Sequence, residues 1–503
     1  MSAATTPKAA RAGANPRAAG ANASNPRRVA FDVLRQVTGE DAYANLALAK
    51  RLAVSGLDAR DAGLVTELVS GTCRLMGTYD RVIEEASGRA LGSLQPAVVD
   101  LLRLGCHQLL GMRVKKYAAV GSTVDLARAT VGQRVTGLVN AIMRKASART
   151  LDEWTELIAA GEDEIGALAV RGHHPRWIVE AYADVLPRRQ PADGALSEDL
   201  ADAPRRGEFA DVAFRDELAA ALAANNVAPQ PTLVLRPGLA ELSDLEGAEP
   251  TRYSPFGATA GGVPADQPAV RDGRAGVQDE GSQLVAWALA RTDAPDGPWL
   301  DMCAGPGGKA ALLAGLASES GTWLLASEAQ EHRARLVQQA LSVYDRSLSR
   351  TPGAERPGPR RKAVTITADG TTPAWGRAFS RIMVDVPCSG LGALRRRPES
   401  RWRRRPEDVT ALGDLQRALL RSALDSAVPG GVVAYVTCSP HRAETVEVVD
   451  DVLAERPGVA RLRAADALPG VPDCAVGDDV QLWPQRHGTD AMYLALLRVP
   501  HAG

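Results

Sequence analysis

Residues 297–317 read GPWLDMCAGPGGKAALLAGLA: an apolar strand pattern, a glycine-rich turn and a helical pattern in direct succession. The same order returns in TWLLASEAQEHRARLVQQAL (322–341), and two later stretches, RIMVDVPCSG (381–390) and GGVVAYVTCS (430–439), also read as strands that end in a loop. Strands that alternate with helices predict a doubly wound, mostly parallel sheet, whose ligands bind at the carboxyl ends of the strands. We therefore predict an α/β Rossmann-like domain over residues 278–503.

The rest of the chain predicts further domains. Apolar residues recur at intervals of three and four over residues 25–150, which indicates an all-α domain. Residues 151–277 read as a helical linker followed by a small α+β domain that contains the strand Thr232–Leu235. Residues 1–24 are basic and rich in alanine, and they predict a disordered tail.

Composition limits the class of protein but not its partner. The 503 residues hold 59 Lys and Arg against 60 Asp and Glu, so any basic surface must be local. The chain contains no run of about 18 apolar residues and no export signal, so we expect a cytoplasmic protein without a membrane span. Six dispersed cysteines predict reduced thiols and no metal site. A monomer is the default expectation.

The glycine-rich turn indicates the cofactor. Gly305, Gly307 and Gly308 let the backbone approach a ligand closely, but the pattern is not the GxGxxG that seats a pyrophosphate. A ligand without phosphates, S-adenosylmethionine, fits that description. Glu328, at the end of the next strand, is placed to accept hydrogen bonds from ribose hydroxyls, and Asp369 from the adenine amino group. The simpler alternative for each acid is a strand-end turn or a helix cap.

Two cysteines, Cys388 in DVPCSG and Cys438 in VTCSP, each follow a predicted strand. A thiolate beside a methyl donor predicts addition to carbon 6 of a cytosine, which makes carbon 5 nucleophilic; a second group then removes the carbon 5 proton. Asp385 is placed to hydrogen-bond the base as charge develops on it. Spacing alone leaves open which cysteine attacks. Cys73, Cys106 and Cys474 are expected to be buried, and Cys303 to pack in the cofactor turn.

A basic segment follows the first of these cysteines. LGALRRRPESRWRRR (391–405) holds seven arginines and one glutamate, a net charge of +6. Arginine contacts phosphates and tryptophan stacks on unpaired bases, so we predict RNA binding there. The predicted contacts are Arg395, Arg396, Arg397, Arg401, Trp402, Arg403 and Arg404. For a second basic set, Arg27, Arg28, Arg113, Lys115 and Lys116, RNA binding and plain solvation are equally open. Residues 346–362 predict a mobile basic insertion.

DMCAGPGGKA, DVPCSG and VTCSP, in this order, resemble the RNA 5-methylcytosine methyltransferases of the RsmB (Fmu/Sun) type within the NOL1/NOP2/Sun family. RLGCHQLLGMRVKKYAAV (103–120) and GLVNAIMRK (137–145) resemble the NusB-like RNA-binding domain of the bacterial ribosomal RNA members. The resemblance implies an S-adenosylmethionine-dependent RNA cytosine-C5 methyltransferase that acts on small-subunit ribosomal RNA. Transfer RNA as the substrate and a catalytically silent ribosome-assembly factor are the alternatives, and the target nucleotide is not specified.

The same resemblance implies roles for single residues. Cys438 is the nucleophile and Cys388 assists product release, whereas DNA cytosine methyltransferases attack with the cysteine of the Pro-Cys motif. The implied cofactor contacts are Cys303, Ala304, Gly305, Pro306, Gly307, Gly308, Lys309, Glu328, Arg333, Asp369 and Asp385. The chain departs from the family at Gly305, where alanine is common, and at Glu328, where aspartate is frequent. A third departure, SPHRAET after the second cysteine, leaves open whether Glu444 does more than cap the next helix.

Overall fold

The computed structural model describes residues 25–112, 114–186, 212–348 and 362–501. The predicted tail (1–24), Arg113 and residues 349–361 of the predicted insertion lie outside these ranges. The chain divides between Trp154 and Thr155 into two compact units. The finer division at residues 150 and 277 stays a prediction. No helix in the described ranges is long and apolar enough to cross a membrane.

The first unit is helical, as predicted. Helix α1 begins at Pro26, where the Asn25 side chain accepts hydrogen bonds from the backbone N–H groups of Arg27 and Arg28. Its side chains at intervals of four, Val29, Val33 and Val37, are buried. The helices are α1 Pro26–Gly39, α2 Ala44–Ala53, α3 Ala59–Arg74, α4 Met76–Ser87, α5 Pro96–Cys106, α6 Lys116–Thr130, α7 Thr136–Ala146 and α8 Leu151–Ala159, the last of which contains the division.

The second unit starts with three helices and a small sheet. The helices are α9 Glu164–Gly172, α10 Arg176–Val185 and α11 Val212–Asn225. The four strands of the small sheet in the described ranges are β1 Thr232–Leu235, β2 Glu249–Pro250, β3 Gly257–Thr259 and β4 Ala275–Val277, paired antiparallel in the order β2-β3-β1-β4. Helix α12, Pro268–Arg271, lies between β3 and β4 in sequence. The predicted α+β element, including its strand from Thr232 to Leu235, is confirmed.

The large sheet has nine strands in the described part of the chain. They are β5 Trp299–Asp301, β6 Leu324–Glu328, β7 Ala363–Thr367, β8 Phe379–Asp385, β9 Ala427–Thr437, β10 Ala460–Leu462, β11 Ala475–Val476, β12 Asp479–Gln481 and β13 Tyr493–Arg498. Strands β7-β6-β5-β8-β9 are parallel, and β13, β12, β11 and β10 extend the sheet antiparallel.

Helices cover both faces of the large sheet, which is why its central strands β5, β6, β8 and β9 are mostly buried. The helices are α13 Glu280–Arg291, α14 Gly308–Glu319, α15 Glu331–Leu348, α16 Ser400–Arg403, α17 Pro406–Ser426, α18 Val446–Ala454 and α19 Pro484–His487. Along β9, Ala434 belongs to the core under α13, α14 and α15, and Tyr435 to the core under α17 and α18. The predicted doubly wound α/β fold is confirmed.

The strand order locates the ligand crevice. Strands β6 and β7 lie on one side of β5, and β8 and β9 lie on the other, so the chain reverses its direction of travel between β5 and β8. At such a reversal the loops leave the carboxyl ends of neighbouring strands in opposite directions and open a crevice. Asp301 ends β5 and Asp385 ends β8, so both carboxylates stand at this crevice.

Candidate active site

The glycine-rich turn joins β5 to α14. Gly307 has a φ of +111°, a left-handed conformation that favours glycine, and a Cβ there would lie 2.7 Å from the Cβ of Ala340. Its N–H donates to the carbonyl of Ala304 at 2.7 Å, while the Ala304 N–H donates to Ser327 of β6 at 2.9 Å. Gly308 begins α14 and Pro306 lies inside the turn. Burial raises the pKa of Cys303 well above its ordinary value.

Glu328 ends β6 and is buried beside this turn. One of its oxygens accepts the Gly305 N–H at 3.0 Å, and the other accepts the Gln330 N–H at 3.0 Å. Arg333 donates to the Gly305 carbonyl at 2.7 Å and stands 3.6 Å from the carboxylate. A Cβ on residue 305 would lie 2.1 Å from a Glu328 oxygen. Glycine at 305 therefore makes room for the longer acid at 328, which connects the two departures from the family pattern.

The crevice holds the ion pair of Lys309 with Asp385 and a second acid, Asp301. Lys309 Nζ donates to Asp385 Oδ2 at 2.8 Å, and although burial opposes it, the attraction of Asp385 raises the pKa of Lys309. Asp301 is buried, and neither of its oxygens meets a hydrogen-bond partner of ordinary geometry in the described residues. Burial, reinforced by repulsion from Asp385, raises the pKa of Asp301 to about 7. Asp301 was missed as a site residue, although its strand-end position before the turn was visible in the sequence.

The two predicted cysteines come together. Cys388 Sγ and Cys438 Sγ lie 3.5 Å apart, and both residues are partly exposed. The hydrogen bond from the Cys388 thiol, helped by Lys309 and Arg397, lowers the pKa of Cys438 against burial and the charge of Asp385. Donating that bond raises the pKa of Cys388 well above its usual value, and burial adds to the shift. The opposite directions of the two pKa shifts favour Cys438 over Cys388 as the thiolate of the pair. Cys73, Cys106 and Cys474 are buried.

Asp369 lies beyond the end of β7 and is exposed. Its carboxylate accepts hydrogen bonds from the Thr371 N–H at 2.9 Å and from Thr371 Oγ1 at 2.8 Å, which lower the pKa of Asp369. These bonds are those of a strand-end turn, the simpler of the two interpretations of this residue. Its contact with adenine stays a prediction.

The arginine segment divides between interior and surface, and two of its predicted RNA contacts need correction. Arg401 is fully buried and donates to the carbonyls of His173 and Asn225, each at 3.0 Å. Arg395 is also buried, and it donates to the Gly488 carbonyl at 2.8 Å. Neither guanidinium reaches a phosphate without breaking these bonds, so Arg395 and Arg401 leave the RNA-binding set.

The other members of the segment reach the surface. Arg396 and Arg397 are exposed, whereas Trp402, Arg403 and Arg404 are partly exposed. Arg396 pairs with the buried Asp490 through Nε at 2.8 Å. Arg404 donates to the Ser389 carbonyl at 3.1 Å, directly beside Cys388. Arg404 therefore borders the loop that carries the first thiol.

S-adenosylmethionine fits this crevice. The glycine turn keeps the backbone open to a ligand, and the buried Asp301 carboxylate and Gln278 amide have polar atoms without hydrogen-bond partners in the described residues. Gln278 adjoins the turn, since its amide carbon lies 3.8 Å from where a Cβ on residue 308 would stand. A ligand with an ammonium, a carboxylate and hydroxyls supplies partners for such groups. Gln278 was also missed by the sequence analysis.

Comparisons with known proteins agree with this geometry. The family model described as 16S rRNA methyltransferase RsmB/F matches residues 288–498, and that of the NusB family matches residues 24–148. Ribosomal RNA small subunit methyltransferase B of Pseudomonas putida (strain KT2440) is 30% identical over 481 residues, which cover 94% of this chain and 98% of the relative. The chain belongs to the RsmB/F methyltransferase family.

Two further proteins match this RsmB/F chain over nearly its whole length. Rv1407 of Mycobacterium tuberculosis (strain H37Rv), whose name states methyl transfer but no substrate, is 44% identical over 480 residues, covering 94% of this chain and 96% of the relative. The solved structure of PH0851 has a TM-score of 0.71 at 19% identity, covering 94% and 98% of the two chains, and supports the fold. This RsmB/F protein is an S-adenosylmethionine-dependent RNA methyltransferase with an N-terminal NusB-type helical domain.

Proposed function

We propose that the protein methylates carbon 5 of a cytosine in small-subunit ribosomal RNA through a covalent adduct with Cys438. The observation that carries the proposal is the pair of thiols 3.5 Å apart at the ends of adjacent strands, with a cation beside one of them. A single nucleophile would need only one cysteine. Addition followed by elimination needs a nucleophile and a second group that handles the carbon 5 proton.

Cys438 acts first in this scheme. Its thiolate forms a bond to carbon 6 of the cytosine, and the electron pair of the ring double bond moves to carbon 5. When bound, S-adenosylmethionine supplies an electrophilic methyl group for that carbon. Lys309 and Arg397 favour the thiolate before attack, because each lowers the pKa of Cys438.

Asp385 and Cys388 act on the base and on its proton. In this scheme Asp385, which accepts a hydrogen bond from Lys309 at 2.8 Å, hydrogen-bonds the cytosine ring nitrogen or amino group while charge develops there. Asp385 is also a proposed cofactor contact. Cys388 assists release: it loses its thiol proton to solvent once the Cys438 sulfur is bonded to carbon 6, and its thiolate then takes the carbon 5 proton. The electrons of that C–H bond restore the ring double bond, and the Cys438 sulfur leaves as a thiolate. The remaining proposed cofactor contacts are the turn from Cys303 to Lys309, Glu328, Arg333 and Asp369.

The proposed substrate rests on relatives and on charge. The Pseudomonas putida relative is named for methylation of small-subunit ribosomal RNA and matches this chain nearly end to end. Arg396, Arg397, Trp402, Arg403 and Arg404 are the proposed RNA contacts beside the thiol pair. Because ribosomal RNA lies in the cytoplasm, the proposed substrate also implies a cytoplasmic enzyme.

The test incubates Cys388→Ala and Cys438→Ala variants with labelled S-adenosylmethionine and either unmodified small-subunit ribosomal RNA or transfer RNA. We expect Cys388→Ala to accumulate a protein–RNA adduct that survives denaturation, and Cys438→Ala to form none. The reverse pattern would make Cys388 the nucleophile. An adduct that forms with transfer RNA alone would make transfer RNA the substrate in place of ribosomal RNA. If the parent protein labels neither RNA, the enzyme proposal fails and a silent assembly factor takes its place.

A further inference from the structure

Glu444 lies between the two cysteine loops and is fully buried. Its carboxylate accepts the Ser389 N–H at 2.7 Å and the Ser389 hydroxyl at 2.5 Å. Gln416 Nε2 donates to the Pro387 carbonyl at 2.8 Å and stands 3.4 Å from the same carboxylate. Both neighbours of Cys388 are therefore held by side chains from elsewhere in the chain. These bonds also show that the Glu444 carboxylate is not a simple helix cap.

The same carboxylate reaches the second loop through hydroxyl groups. Ser389 Oγ and Ser439 Oγ lie 3.2 Å apart. Because a carboxylate only accepts, the Ser389 hydroxyl donates to Glu444 and its oxygen is left to accept the Ser439 hydroxyl. A backbone bond runs in parallel, from the Gly392 N–H to the Cys438 carbonyl at 2.8 Å. Glu444 thus ends a directed hydrogen-bond chain that joins the residues following the two cysteines.

We propose that Glu444 is a positioning residue that fixes the Cys388 loop against the Cys438 loop and keeps the proton of the thiol pair on Cys388. The inference rests on the proposed function, in which Cys438 is the nucleophile. Glu444 touches no reacting atom in this scheme. It acts through Ser389 and through its charge.

The charged groups around the two thiols explain why the proton is kept on Cys388. Lys309 and Arg397 favour the thiolate of Cys438 and Asp385 opposes it, while Glu444 and Asp385 oppose ionisation of Cys388. Tyr435, whose pKa burial raises, is neutral beside Cys388. Glu444 is bonded directly to Ser389 of the Cys388 loop, but it reaches the Cys438 loop only through the Ser389 and Ser439 hydroxyls, so its charge bears more directly on Cys388. Its loss therefore makes the two thiols more alike.

The experiment measures alkylation of each cysteine in the full-length Glu444→Gln variant. Iodoacetamide reacts with thiolates, so peptide-level mass spectrometry across neutral and alkaline pH gives a separate midpoint for Cys388 and for Cys438. In the parent protein we expect Cys438 to react first. In the variant the Cys438 midpoint should rise, the Cys388 midpoint should fall, and the ratio of their rates near neutral pH should shrink about tenfold.

Glu447→Gln is the matched control, because Glu447 is an exposed carboxylate on α18 that pairs with Arg442 at 3.5 Å. It should leave both midpoints unchanged. A Glu444→Gln profile equal to that of the control would overturn the inference. Faster alkylation of both cysteines would overturn it too, since that result indicates general loosening of the loops.

Ser389→Ala covers the possibility that Glu444→Gln does not fold. It removes the hydroxyl link and keeps the backbone bond to Glu444, so we expect the same opposed shifts at reduced size; unchanged midpoints would overturn the inference. Alkylation needs neither RNA nor methyl transfer. Opposed midpoint shifts in a protein that labels no RNA would support positioning by Glu444 while refuting the proposed function.

Discussion

The two cysteine loops and the arginine segment that follows the first of them contrast sharply. In the loops, the two thiols at neighbouring strand ends meet, with their sulfur atoms 3.5 Å apart. In the segment, Arg395 and Arg401 are interior while Arg396 and Arg397 are exposed. Residues placed by strand ends share one edge of a parallel sheet. Residues in a charge run share only composition, and their neighbours in three dimensions decide what each one does.

The largest expected effect separates Arg401 from its surface neighbours. Arg401→Met removes the donor to the buried Asn225 carbonyl and to two partly buried acceptors, the His173 carbonyl and the Asn226 side-chain oxygen. We expect a loss on the order of 4 kcal/mol in the free energy of unfolding, measured by urea denaturation. Arg397→Met, at an exposed position, should change it by less than about 0.5 kcal/mol. Equal stability of the two variants would remove the contrast between interior and surface arginines.

A second effect tests whether the crevice carries an uncompensated charge. The pKa of Asp301 is about 7 in the folded protein, against about 3.9 in the unfolded chain. The folded state therefore binds the proton more tightly, and stability falls as pH rises through this window. Asp301→Asn should remove that loss, making the variant more stable than the parent by on the order of 4 kcal/mol at about pH 8 and nearly equal at about pH 4.

The same Asp301→Asn variant should bind S-adenosylmethionine more weakly, which calorimetry would measure. Gain of stability together with loss of affinity is the signature of a charge kept for a ligand. A variant that is less stable at about pH 8 would contradict the burial argument.

A third effect sharpens the difference between the two thiols. Lys309→Met removes the cation that faces Cys438 and leaves Asp385 without its 2.8 Å partner. The pKa of Cys438 should rise, so turnover should fall about 30-fold at neutral pH, equivalent to about 2 kcal/mol. The pH at which activity rises should also increase, because Cys438 with a raised pKa forms its thiolate only at higher pH. Lys309→Arg should recover part of the activity, and an unshifted pH profile would argue against this role.

The smallest effect concerns the exposed arginines. Arg397→Ala should weaken RNA binding by about 1 kcal/mol, roughly fivefold, and reduce the slope of log affinity against log salt concentration by about one. Filter binding at several salt concentrations measures both. Arg463→Ala, an exposed arginine after β10, is the control and should change neither. If both variants bind RNA like the parent, the segment's surface is merely solvated.

Much of the fold and part of the site could be predicted. The strand that ends at Glu328 and the convergence of Cys388 and Cys438 follow from apolar strands with polar ends, a pattern set by local backbone geometry. In the described residues neither Asp301 oxygen meets a hydrogen-bond partner of ordinary geometry, and this could not be predicted, because it depends on every neighbouring side chain. The roles of Arg395 and Arg401 were wrong for the same reason.

The sequence by itself determined the doubly wound sheet, the glycine turn beside Glu328 and the two thiols at strand ends, because strand, turn and helix patterns are encoded within a few residues. Only the tertiary structure decided which arginines face inward and which groups the Glu444 carboxylate binds. Arg401 and His173 are 228 residues apart, and Ser389 and Glu444 are 55 apart. Hydrogen bonds across such separations form only when packed helices and loops bring distant segments within about 3 Å of each other.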